Sequence, residues 1–137
     1  MNDRKVILLT GASSGIGHEA AMELLAQDHI VYAAARRVEK MEDLAAAGAH
    51  VLSLDVTDSS SISGVVNAVL SQQGRIDVLI NNAGVIVRER KESEDGFELT
   101  FAVNYLAHFL LTSLLLPLMR DSAPARVVNV ASAGQSP

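Results

Sequence analysis

The feature that most constrains this chain is an apolar run, Lys5 to Thr10, that enters a glycine-rich turn and leaves it as a helical pattern: Thr10-Gly11-Ala12-Ser13-Ser14-Gly15-Ile16-Gly17. A buried strand that turns tightly into a helix aims free N–H groups and the positive end of the helix dipole at one point, where a phosphate can sit. In such a turn Gly11 permits the bend, Gly15 lets a pyrophosphate approach the backbone, and Gly17 lets helix and sheet pack closely. Ser13 and Ser14 add hydroxyl donors, and Ile16 carries one of the first helical N–H groups. The spacing is G-x-x-x-G-x-G, which differs from G-x-G-x-x-G, and no G-K-[ST] follows, so a phosphoryl-transfer loop is not indicated.

The rest of the chain repeats this strand-then-helix theme. Lys5 to Thr10, Ile30 to Ala35, His50 to Leu54, Ile76 to Ile80 and Arg126 to Ala131 read as continuous apolar runs, the pattern of strands covered on both faces. Between them, Ile16 to Gln27, Val38 to Ala47, Ser60 to Gln72 and about Ser93 to Met119 have helical spacing. Asp58 or Ser59 caps the third helix, and Gly48 and Gly74 end the second and third. Repeated βα units imply an α/β fold: a parallel sheet with helices on both faces. The mixed-charge run Arg88 to Asp95 reads as a solvated loop and first helical turn, with a substrate lid as the alternative.

Leu99 to Met119 is 21 residues without a formal charge, long enough to cross a membrane. Thr100, Asn104, His108 and Thr112 recur every four residues within it, however, and draw a polar stripe down one helical face. We therefore read a helix of a soluble protein whose polar edge borders a site, and expect no membrane partner. The short apolar run after Lys5 does not read as a signal peptide, so the expected compartment is the cytoplasm. A net charge of −5 argues against nucleic acid. With no cysteine in the chain, disulfides, thiol nucleophiles and thiolate metal sites are excluded, and no metal site is expected.

TGASSGIG, the Asn81-Asn82-Ala83-Gly84 run, Asn104 in FAVNYLAHF, and VVNVAS ending at Ser132 together resemble the short-chain dehydrogenase/reductase family, in that family's order and across essentially the whole chain. The segment from Asp95 to Ser132 most resembles retinol-dehydrogenase-like members. The resemblance implies a Rossmann-type doubly wound parallel sheet in the order 3-2-1-4-5, truncated after the fifth strand. Residues 1–137 then form a single dinucleotide-binding domain. It also implies a nicotinamide cofactor and hydride transfer to or from a small-molecule carbonyl or alcohol substrate. The cofactor would be held by Gly11, Ser13, Ser14, Gly15, Ile16 and Gly17, by Asp55 and Val56 beside the adenine, and by Asn82, Ala83 and Gly84. Asp55 reads equally well as a helix cap, and the Asn81–Gly84 motif equally well as scaffold.

An acidic residue at the end of the second strand would accept hydrogen bonds from the ribose of NAD and repel a 2'-phosphate. Ala35 stands there instead, followed by Arg36 and Arg37, which can form charge-assisted bonds to a 2'-phosphate. NADP is therefore expected over NAD. In the family's pattern Asn104 would hold a water of the proton relay and Ser132 would polarise the substrate oxygen. These are the two catalytic candidates.

The family's proton donor, the tyrosine of a Tyr-x-x-x-Lys pair on the helix after the fifth strand, has no counterpart in these residues. Tyr32 is followed four positions later by Arg36 and Tyr105 by Phe109. Tyr32 lies on the second strand and Arg36 just past its end, and along extended chain positions four apart are separated by roughly 13 Å. The expectation is a cofactor-binding portion that is inactive alone, a catalytically silent NADP-binding or interaction module being the alternative. An open sheet edge and exposed apolar surface are expected as well, and with them self-association into a homo-oligomer.

Overall fold

A computed structural model describes residues 3–84, 89–93 and 95–131. Five strands, β1 (Val6–Thr10), β2 (Ile30–Ala35), β3 (His50–Ser53), β4 (Val78–Asn81) and β5 (Arg126–Asn129), form one sheet in the order β3-β2-β1-β4-β5. Every adjacent pair is parallel. The strand order expected from the sequence is the one observed, with strand ends shifted by at most two residues.

The alternation of side chains along each strand divides the core in two. Val6, Leu8, Tyr32, Ala34 and Leu79 face helices α3 (Ser59–Gln73) and α5 (Ala107–Asp121), packing with Ile62, Val65, Val69, Leu111 and Leu115. Leu9, Val31, Ala33 and Ala35 face α1 (Gly15–Ala26) and α2 (Glu42–Ala46), where Ala21, Met41 and Leu44 meet them. Both faces of β1 and β2 are thus covered, which is why these strands have no polar alternation to show. Asp58 accepts hydrogen bonds from the Ser60 N–H at 3.0 Å and its hydroxyl at 2.7 Å, making it the α3 cap. Gly48 and Gly74 take positive φ just past α2 and α3.

Two expected helices differ from the sequence reading. The stretch expected to be one helix from Val38 splits into a 3-10 turn, Val38–Met41, and the short α2. The helix expected from about Ser93 begins only at α4 (Leu99–Phe101), continues through a π-helical turn, Ala102–Leu106, and runs on as α5. A tight chain reversal competes with the helix: Glu92 and Glu98 bridge antiparallel, Ser93 N–H donates to the Phe97 carbonyl at 2.7 Å, and Gly96 has φ 84. The Glu98 carboxylate then accepts from the Phe101 N–H at 2.7 Å and starts the helix there.

The continuous helix Leu99–Asp121 is long and apolar enough to cross a membrane by length and composition. Its polar stripe nonetheless turns inward: Thr100, Asn104, His108 and Thr112 are all half-buried, while Phe101, Tyr105 and Phe109 are 48%, 61% and 67% exposed. The rings of Phe101 and Tyr105 stack at 5.3 Å. Strand β5 is the exposed edge of the sheet.

Candidate functional site

At the carboxyl edge of β1 the chain turns at Gly11, whose φ is +68 and whose absent Cβ would stand 2.8 Å from the Ala83 Cα. No larger residue fits this approach. At Gly17 a Cβ would run into the Asn82 side chain and the Gly11 carbonyl, so this glycine lets α1 close onto the loop after β4. Gly15, with φ +58, faces open space: nothing lies within 4 Å of where its Cβ would be. Its backbone is accessible to something approaching from outside.

The start of α1 is left without a local anion. Ser14 holds the cap position in extended conformation with no side-chain cap bond, and the first turn carries no acidic residue. The leading N–H groups of a helix have no intrahelical acceptors and sit at its positive end. An anion at this point would satisfy both.

A cleft of about 370 Å³ opens beside this helix end. Of the residues singled out in the sequence, Gly11, Ser13, Ser14, Arg36, Arg37, Asp55, Val56, Asn82, Ala83 and Gly84 line it. Gly15, Ile16 and Gly17 stand beside its lining, Ile16 being 71% exposed and Gly17 buried. Ser132 lies outside the described residues. Lys40, Thr57, Leu54, Leu99 and Val103 also line the cleft and were not anticipated. Lys40 follows Arg36 by four residues, so the run Arg-Arg-Val-Glu-Lys carried the signal, provided the chain turned sharply after β2.

Arg36, Arg37 and Lys40 are exposed on the rim, and Asp55 is the one carboxylate among the described lining residues. Asp55 is not a helix cap. One of its carboxylate oxygens accepts from the Thr57 N–H at 2.9 Å and hydroxyl at 2.6 Å, and its N–H donates to the Ser61 hydroxyl at 2.9 Å. The capping role belongs to Asp58, whose carboxyl is held below the usual aspartate range by the hydroxyl and then the N–H of Ser60.

The Asn81–Gly84 segment divides between scaffold and wall. Asn81 is fully buried and donates to the Thr112 hydroxyl at 3.0 Å and the Asn129 side-chain oxygen at 2.9 Å, tying β4 to α5 and β5. Its own oxygen has no partner among the described residues. The Thr10 hydroxyl accepts from the N–H groups of Asn82 and Ala83, both at 3.0 Å, and the Asn82 amide donates to the Gly11 carbonyl at 3.2 Å. Asn104, within the π-helical turn, brings its side-chain oxygen to 3.4 Å from the position a Cβ on Gly84 would take. Such turns are frequent at functional sites. The glycine loop, the cleft wall and the Asn104 helix thereby meet at two adjacent residues, Ala83 and Gly84.

The sequence pattern of the family described as short chain dehydrogenase matches residues 5–136, nearly the whole chain. The chain belongs to the short chain dehydrogenase family.

Among curated relatives, retinol dehydrogenase 12 of Mus musculus is 43% identical over 136 residues, and retinol dehydrogenase 11 of Homo sapiens is 44% identical over 136 residues. Each match takes in 93% of this chain and 43% of the relative, so the chain spans less than half the length of these relatives. A short-chain dehydrogenase from Streptomyces avermitilis superposes with a TM-score of 0.83 at 40% identity, over 96% of this chain and 50% of that one. A metagenomic short-chain oxidoreductase solved in complex with NADP superposes with a TM-score of 0.84 at 33% identity, over 97% of this chain and 64% of its own. As a short chain dehydrogenase, the chain shares with these structures the Rossmann-type sheet described above.

Proposed function

We propose that this chain forms the NADP-holding portion of an oxidoreductase that moves a hydride between a nicotinamide and a carbonyl or alcohol carbon. The observation that carries the reading is the placement of three cations, Arg36, Arg37 and Lys40, on one rim of the cleft whose other wall is the uncapped start of α1. A dinucleotide phosphate has two anionic centres, a pyrophosphate and a 2'-phosphate, and this cleft offers one cationic place for each. The residues fit the group. Gly15 leaves open space at the helix start, Ala35 puts no carboxylate beside the arginines, and the α1 first turn holds no acid of its own. The neighbour solved with NADP supports the same assignment.

When bound, the nicotinamide supplies the hydride acceptor or donor; the protein binds, orients and handles the proton. The free N–H groups of α1 and the Ser13 and Ser14 hydroxyls hold the pyrophosphate, the rim cations hold the 2'-phosphate, and Asp55 faces the adenine side. Asn104, over Gly84, prepares the proton path, and Ser132 donates to the substrate oxygen. Neither tyrosine serves as the proton donor. Tyr32 is buried, its hydroxyl bonded to Gln72 at 2.8 Å and Gln73 at 3.1 Å, and Tyr105 is exposed against Phe101. That observation favours a second reading for these 137 residues by themselves, a module that binds NADP without turnover.

Fluorescence titration of the folded chain with NADPH and NADH tests the proposal. Saturable binding that favours NADPH tenfold or more is expected, about 1.4 kcal/mol. Arg36→Ser with Lys40→Ser should remove that preference. Equal affinity for the two nucleotides, or no binding by a chain shown to be folded, overturns it. Independently of the cofactor, we propose that the exposed apolar surface, Phe101, Tyr105 and Phe109 among it, supports association between copies; light scattering should show growth with concentration that Phe109→Glu reduces, and a monomer at all concentrations would count against it.

A further inference from the structure

Ala83 is gripped from both sides of its residue. Its N–H donates to the Thr10 hydroxyl at 3.0 Å, and its carbonyl accepts from His108 Nε2 at 2.8 Å. A carbonyl has no hydrogen to give, so Nε2 must carry one, in the neutral Nε2–H tautomer or in the imidazolium. His108 is half-buried near the start of α5, one turn beyond Asn104.

What this bond holds is a point of close backbone approach in the site. The Ala83 backbone lies so close to Gly11 that a Cβ there would stand 2.8 Å away, and the next residue, Gly84, meets Asn104. Movement of the Ala83 carbonyl therefore shifts the cleft wall against the glycine loop and Gly84 against Asn104 together. Thr10 restrains only the N–H side. We propose that His108 is a positioning residue for the cofactor cleft, its ring N–H fixing the Ala83 carbonyl so that the glycine loop and the Asn104 helix keep one spacing. The role rests on the NADP-binding reading given above.

The test compares His108→Leu, which removes the donor, with His108→Gln, whose Nε2 lies the same number of bonds from Cβ. His108→Leu should bind NADPH at least fivefold more weakly and exchange the amide hydrogens of Asn82 to Gly84 faster without nucleotide, while the α3 amides keep their protection. His108→Gln should stay within twofold of the parent in both. Parent-like behaviour of His108→Leu overturns the proposal, as does a His108→Gln as impaired as His108→Leu, since the ring would then act by packing alone. Should His108→Leu not fold, His108→Asn replaces it: its amide is one carbon shorter, so impairment of Asn but not Gln supports the bond, and equal behaviour refutes it. A parent chain that binds no NADPH refutes the NADP reading, and the exchange measurements still decide the role of the hydrogen bond.

Discussion

Thr10 is a buried polar residue at the end of an otherwise apolar strand, and its hydroxyl is the acceptor for two consecutive backbone donors, Asn82 N–H and Ala83 N–H. Thr10→Val keeps the shape and removes that acceptor. A buried donor left unpaired costs about 1–3 kcal/mol. Asn82 and Ala83 are half-buried, so water reaches them in part, and the low end applies to each. The expected loss is about 2 kcal/mol for the pair. With a urea m-value of about 1.5 kcal/mol/M, the unfolding midpoint should fall by roughly 1.3 M. Thr10→Ser supplies the control: it keeps the hydroxyl and gives up one buried methyl group, worth about 1 kcal/mol. Valine should therefore be the more damaging change although it preserves volume. Amide exchange should locate the defect at Asn82 and Ala83. A Thr10→Val midpoint equal to or above that of Thr10→Ser would show that the loop after β4 is held by packing and not by this hydroxyl.

Two of the loop glycines, Gly17 and Gly15, should separate in the same denaturation assay. Gly17→Ala forces a Cβ into the Asn82 amide and the Gly11 carbonyl and should cost about 1–3 kcal/mol by overpacking. Gly15→Ala meets open space and bears only the left-handed backbone penalty, about 1–2 kcal/mol, so its larger effect should be on NADPH binding; a Gly15→Ala that binds as the parent does would argue against phosphate approach there. Asp58 predicts a pH dependence. Because Ser60 holds its carboxyl below the ordinary value, its contribution to stability is present above the unfolded pKa and is lost as pH falls through the folded one. Between pH 5 and pH 3, around the unfolded value of about 3.9, Asp58→Asn should lose less stability than the parent, and equal losses would assign the acid sensitivity elsewhere.

The strands and the glycine turn after β1 are legible in the sequence because both are written in local chemistry, whereas the order of the strands rests on the family resemblance. Unbroken apolar runs such as Val6–Leu9 are required of strands buried on two faces, and a glycine at φ +68 is required where backbone passes backbone. The late start of the long helix is not local in that sense. Residues 93 to 98 have acceptable helical spacing, and what excludes a helix is the bridge between Glu92 and Glu98, with Lys91 accepting from the Leu99 N–H at 2.7 Å. Lys40 escapes notice for a related reason, since reading Val38 to Ala47 as one regular helix obscures the 3-10 turn that leaves Lys40 on the rim with Arg36.

Thr10 and His108 show a further limit, and it has a physical meaning for the site. Each is an unremarkable residue in its own element: a β-branched residue ending a strand and a polar residue on a helix face. Their roles exist only because the parallel order sets β4 beside β1 and because α4 and α5 return across the loop that leaves β4. The residues a sequence reveals are those whose own backbone or charge is unusual, Gly11, Gly15 and Arg36 among them. The residues that hold those at a fixed spacing bind backbone atoms of a distant segment, and any side chain with the right donor or acceptor at the right reach would serve. In this cleft, ligand-binding groups should therefore tolerate little substitution, whereas Thr10 and His108 should tolerate serine and glutamine, which keep the hydrogen bond. Loss of function on those conservative replacements, equal to that on valine and leucine, would show that this division between binding and positioning groups is wrong.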